Sequence, residues 1–109
     1  PFFTDDEGLA KQISKAGQEQ ADPLWRLPFW EPYEETIEPD VAELDHAPKG
    51  GFGGAITAAL FLRRFVDDAA SFVHIDMYGW CPSAKPARTL GGACQSARAM
   101  LAVIEARYG

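Results

Sequence analysis

The chain has 109 residues, of which 47% are hydrophobic and 24% charged, and 16 acidic against 10 basic residues leave a net charge of −6. That length holds one domain at most, and the apolar content excludes an intrinsically disordered chain. The acidic balance repels phosphate backbones and anionic headgroups, so no nucleic acid and no membrane is expected as a partner, and no apolar run is long enough to span a bilayer.

The acids concentrate between Asp5 and Asp45, as a solvated face or an acidic docking surface. Two cysteines, Cys81 and Cys94, make no disulfide framework, so reduced thiols are expected. The amino terminus lacks the layout of a secretion signal, and a cytoplasmic location follows as the expectation. The chain begins at Pro1 without an initiator methionine, which points to a processed, trimmed or excised polypeptide.

Thr4-Asp5-Asp6-Glu7 has the form of a capping box and predicts a helix over 5–20, with Leu9, Ile13 and Ala16 as its apolar stripe. Residues 22–32 carry Pro23, Pro28 and Pro32 among large apolar side chains, which predicts an ordered loop, followed by a short helix over 31–37. Val41, Ala42 and Leu44 suggest a strand near 41–45 ahead of the breaker cluster Pro48-Lys49-Gly50-Gly51.

From Gly53, the nearly all-apolar AITAALFLRRFV predicts a central buried helix over 53–67. Phe72 to Tyr78 alternates as a strand, with Val73, Ile75 and Met77 on one face and His74 and Asp76 on the other. Residues 79–92 read as a loop. A last helix over 92–107 is expected to bury Ala97, Met100, Leu101, Ile104 and Tyr108. The fold class is therefore α/β: an incomplete layer whose strands at 41–45 and 72–78 join through the buried helix as a parallel βαβ unit. So few strands would leave open edges, which suggests further sequence.

Several side chains are candidates for chemistry. His74 and Asp76 project to one strand face as an acid/base pair or two metal ligands, but two groups define no metal site, and a hydrogen-bonded structural pair is the simpler reading. Cys81, Cys94, His46 and His74 have the atom types for zinc without its compact spacings, and Cys81 has no identifiable activating partner as a nucleophile. Gly50, Gly51, Gly53 and Gly54 precede a helix as a phosphate cradle would, yet they lack the lysine and hydroxyl of a P-loop, so close packing of the helix start is expected. Trp25, Phe29, Trp30 and Tyr33 suit a core cluster or a peptide-binding shelf.

PFFTDDEGLAKQI at 1–13, DPLWRLPFWEPYEETIEPDVAELDHA at 22–47, GGAITAALFLRRFV at 53–66 and FVHIDMYGW at 72–80 together resemble the final part of leucyl aminopeptidases of the two-metal cytosolic type. The resemblance implies a catalytic α/β domain preceded by an amino-terminal domain, a homo-hexamer, and a peptide substrate. It also implies two divalent metal ions, Mn or Zn, that activate water for attack on the first peptide bond. The family's metal ligands are a lysine, three aspartates and a glutamate, and its signature NTDAEGR does not occur in these 109 residues.

Thr4-Asp5-Asp6-Glu7-Gly8 echoes part of that signature, but its neighbours match a later family segment. The resemblance thus implies that residues 1–109 are the carboxy-terminal portion of the catalytic domain. They should supply no metal ligand and no catalytic residue, and should be inactive alone. Two positions map onto the pocket for the substrate's first side chain, Tyr78 and Cys81, and Tyr78 stands where many relatives have a small residue. Asp45-His46 and Ala87-Arg88-Thr89 depart from the usual pattern. The alternative is a non-catalytic interaction module of the same fold that presents its acidic face or its 25–33 aromatics to a partner.

Overall fold

The computed structural model describes residues 1–37 and 52–109, and the chain divides into two units, Pro1–Ala10 with Trp25–Asp76, and Lys11–Leu24 with Met77–Gly109.

In the first unit, strand β1 (Phe2–Phe3) pairs antiparallel with β2 (His74–Ile75), setting Phe2 opposite Ile75 and Phe3 opposite His74. On the other edge of β1, the Phe2 amide donates to the Trp25 carbonyl at 2.8 Å and the Leu27 amide donates to the Phe2 carbonyl at 2.9 Å. Both phenylalanines are fully buried, each a burial worth about 1.5–3 kcal/mol. The Phe3 ring lies 5.7 Å from Phe29, Phe29 stacks on Phe72 at 6.2 Å, and the Arg63 guanidinium sits 4.5 Å over the Phe29 ring.

The expected strand over 72–78 is thus shortened to two residues. Its ladder partner among the described residues is antiparallel, because Phe2 and Phe3 occupy that edge. The other expected strand, near 41–45, lies outside the described residues, and the parallel βαβ unit is not seen.

Helix α2 (Gly54–Arg63) starts where expected but ends early, giving way to turns in which Arg64, Phe65 and Val66 each donate to the carbonyl three residues back. It packs on the 3₁₀ helix Glu31–Ile37, expected as a short helix, and on β2. Ala59 and Leu60 are buried while Leu62 and Phe65 are exposed, so this is not the all-round buried helix its composition predicts. Only the stripe met by those two neighbours is covered among the described residues.

Helix α1 (Glu7–Glu19) contributes its first turn to the first unit and the rest to the second. Its cap differs from the expected capping box. Asp6, not Thr4, supplies the carboxylate that accepts from the Leu9 amide at 2.9 Å, and the Asp6 carbonyl takes the Ala10 amide at 2.9 Å. The Thr4 hydroxyl donates instead to the Phe72 carbonyl at 2.6 Å, and Glu7 pairs with Arg26. The stripe Leu9, Ile13 and Ala16 is buried as expected.

In the second unit the expected loop after residue 79 contains a hairpin, with β3 (Trp80–Cys81) antiparallel to β4 (Gly91–Gly92), and inside it Lys85 and Arg88 exchange backbone hydrogen bonds of 2.9 Å. Helix α3 (Ala97–Tyr108) begins five residues later than expected, after Ser96. It buries Ser96, Ala99 and Val103, a helical stripe that is rotated from the expected one. Leu101, Ile104 and Tyr108 are each more than half exposed. The rotation follows from the helix start, whose amides must face a buried carboxylate.

Candidate functional site

That carboxylate is Asp22, just beyond the end of α1. Ala21 takes a left-handed φ of 50°, and the Asp22 amide donates to the Gly17 carbonyl at 2.9 Å. A Cβ at Gly17 would lie 3.0 Å from the Asp22 carbonyl oxygen, so the chain passes where only glycine leaves room. Asp22 is 4% exposed, and its two oxygens accept from the amides of Ser96 at 2.9 Å, Arg98 at 3.1 Å and Ala99 at 3.3 Å.

A helix start leaves such amides without intrahelical partners and carries partial positive charge, so one anion satisfies both needs. The Arg98 guanidinium lies 3.9 Å away and is itself anchored on the carbonyls of Gln20 and Ala21. Burial pushes the Asp22 carboxyl up, but the Ser96 and Ala99 amides and the Arg98 charge outweigh it and hold the group below its ordinary value. Ser96 is held at a left-handed φ of 68°, which an L-residue adopts when its surroundings over-determine it.

Asp22 and Cys81 line the same cavity of ≈ 500 Å³, together with Arg88, Thr89, Cys94 and Arg98. Cys81 is 7% exposed and its thiol donates to the Ser83 carbonyl at 3.1 Å, a structural use rather than that of a nucleophile. Tyr78 does not line this cavity and is 75% exposed. Cys94 follows β4, the strand that pairs with Cys81. Both thiols are free.

The other candidates separate. His46, Gly50 and Gly51 lie outside the described residues. Among the described residues no three His, Cys, Asp or Glu side chains converge as metal ligands. The best-placed carboxylates, those of Asp5, Glu7, Asp22 and Glu34, are engaged with arginines or amides. His74 packs its ring 5.8 Å from Phe3, and its Nε2 is buried without a hydrogen-bond partner among the described residues. Burial lowers its pKa and Asp76 only partly restores it, so the imidazole is neutral at pH 7.

Gly53 has a φ of 72°, and a Cβ there would come within 2.4 Å of the Tyr33 ring, so close packing explains it. The aromatic group divides, with Phe29 stacked inward and Trp25 and Trp30 exposed. Sequence reasoning missed Asp22 as a site residue. Asp-Pro after a helix reads as a stop, and its partners lie more than 70 residues away.

The family model for the catalytic domain of the cytosol aminopeptidase family matches residues 1–104. The chain belongs to the cytosol aminopeptidase family. It is 45% identical over 78 residues to a probable cytosol aminopeptidase of Chlorobaculum tepidum, covering 72% of this chain and 15% of that protein. The crystal structure of the cytosol aminopeptidase of Coxiella burnetii superposes with a TM-score of 0.89 at 36% identity, over 99% of this chain and 24% of that one. The bottromycin maturation enzyme BotP, determined in complex with Mn, superposes at 0.84 with 23% identity over 97% of this chain and 24% of its own, a likeness of fold alone. The chain therefore spans less than a quarter of the length of each of these proteins.

No helix among the described residues is long and apolar enough to cross a membrane. The described residues also do not fit a dinuclear metal site, since no three of their His, Cys, Asp or Glu side chains converge.

Proposed function

We propose that residues 1–109 are the carboxy-terminal portion of the catalytic domain of a dinuclear-metal aminopeptidase that removes amino-terminal residues from peptides. The observation that carries this reading is the family match over residues 1–104, joined to the 0.89 superposition on the Coxiella enzyme. Two divalent ions, Mn or Zn, would polarise the scissile carbonyl and activate water, and the described residues offer them no ligands. Metal ligands and the catalytic lysine and arginine belong to upstream polypeptide on this reading, and these residues alone are inactive. The homo-hexamer, the cytoplasmic location and the parallel βαβ layering through residues 41–45 belong to the same proposal.

Within it, Tyr78 and Cys81 form part of the pocket for the substrate's first side chain. Cys81 supplies a buried wall, and Tyr78, exposed and outside the cavity that Cys81 lines here, is assigned to the pocket by the family resemblance alone. The test is hydrolysis of leucine and alanine anilides with Mn²⁺ by the product of the whole reading frame. Tyr78→Ala is expected to raise the leucine-to-alanine ratio of kcat/KM about tenfold, the scale of one or two methylenes in an apolar pocket. An unchanged ratio removes Tyr78 from the pocket, and an inactive full-length protein overturns the proposal.

The interaction-module reading draws on one observation, the exposure of Trp25 and Trp30. An open reading frame that begins just before Pro1 would favour it.

A further inference from the structure

We propose that Asp22 is a positioning residue for substrate selection, holding the Cys81 wall in place by clamping the start of α3. The role in selection rests on the aminopeptidase reading above; the clamp itself does not.

The chain of contacts runs through one short segment. Residues 93–95 are tied at one end by the β3–β4 ladder, where Cys81 faces Gly91 and Trp80 faces Gly92. At the other end Asp22 fixes Ser96, Arg98 and Ala99. Between these anchors the Ala93 amide donates to the Gly79 carbonyl at 2.9 Å, and the Gly79 amide donates to the Gln95 side chain at 3.4 Å. Three residues fastened at both ends leave β4 little freedom, and β4 is the partner on which Cys81 depends.

Asp22 and Cys81 line one cavity, so a shift passed on through residues 93–95 alters the space that the Cys81 wall bounds. The geometry also demands a carboxylate. Three amide donors converge on two oxygens, and an asparagine would turn an NH₂ group towards one or two of them.

The first arm of the test uses the full-length protein with every cysteine but Cys81 replaced by serine, so that Cys81 is its one thiol, and follows iodoacetamide labelling. Asp22→Asn is expected to speed labelling about tenfold through local opening of the hairpin, with helix content by circular dichroism preserved. Should Asp22→Asn fail to fold, Asp22→Glu, which keeps the charge but displaces it by one methylene, is expected to speed labelling about threefold. An unchanged rate in the folded variant overturns the clamp.

The second arm uses the full-length enzyme. Asp22→Asn is expected to raise KM for a leucine anilide about five- to tenfold, to change kcat less than about twofold, and to lower the preference for leucine over alanine. A fall in kcat with KM and preference unchanged overturns the role in selection. An intact enzyme without any peptidase activity overturns the aminopeptidase reading and the selection role with it, while labelling of Cys81 still decides the clamp.

Discussion

The two units hold themselves together by different means. In the first, Phe2, Phe3, Ile37 and Leu60 are fully buried and the rings of Phe3, Phe29 and Phe72 form a continuous apolar contact. In the second, Ile13 is the one large side chain buried to that degree among the described residues, and its companions are Ala16, Cys81, Ala99 and Val103 around the buried polar pair Asp22 and Ser96. Apolar contact is non-directional and indifferent to small rotations, whereas three amides aimed at one carboxylate fix an angle. The first unit is held by area and the second by geometry, and the second carries the candidate pocket.

The sharpest way to break the contrast is to remove area from the first unit. Phe3→Ala deletes a fully buried ring and is expected to cost about 3–5 kcal/mol in chemical denaturation. A cost under about 1 kcal/mol would show that the aromatic contact carries little. In the second unit small size should matter more than apolarity. Ala99→Leu is expected to destabilise by about 1–3 kcal/mol through overpacking, while Leu101→Ala on the exposed face stays within about 0.5 kcal/mol. The reverse order would mean that α3 lies with its larger side chains inward.

Acid separates the units by a smaller effect. His74 in the first unit has a pKa depressed by burial, so the unfolded chain takes up its proton first. Stability from this group is present above its ordinary value of 6.5 and is lost as pH falls below it towards the depressed folded value. Asp22 in the second unit is also depressed, and its contribution is present above 3.8 and lost as pH falls through the still lower folded value. Amide hydrogen exchange on a falling pH series should therefore show β1 and β2 loosening before the start of α3. Loosening of α3 first would contradict the assignment.

What the sequence made legible is local. The stripe Leu9, Ile13 and Ala16, the short helix over 31–37 and the helix start at Gly53 follow from local spacing and glycine, and the structure keeps all three. Distant partners overrode the local signals elsewhere. The Phe72 carbonyl takes the Thr4 hydroxyl, so the helix cap passes to Asp6. Phe2 and Phe3 precede every predicted element, and their strand exists because His74 and Ile75 pair with them. On α3 the larger apolar residues form a convincing stripe, yet Asp22 turns the stripe of small residues inward. Of the pocket, Cys81 and Tyr78 came from family resemblance, and Asp22 had no local signature.

The most direct measurement of the central claim is the divalent-metal content, by mass spectrometry of extensively dialysed protein, of the whole reading-frame product beside that of residues 1–109. The account predicts two ions per chain in the former and none retained by the latter. Two ions bound stoichiometrically by the 109 residues alone would contradict it.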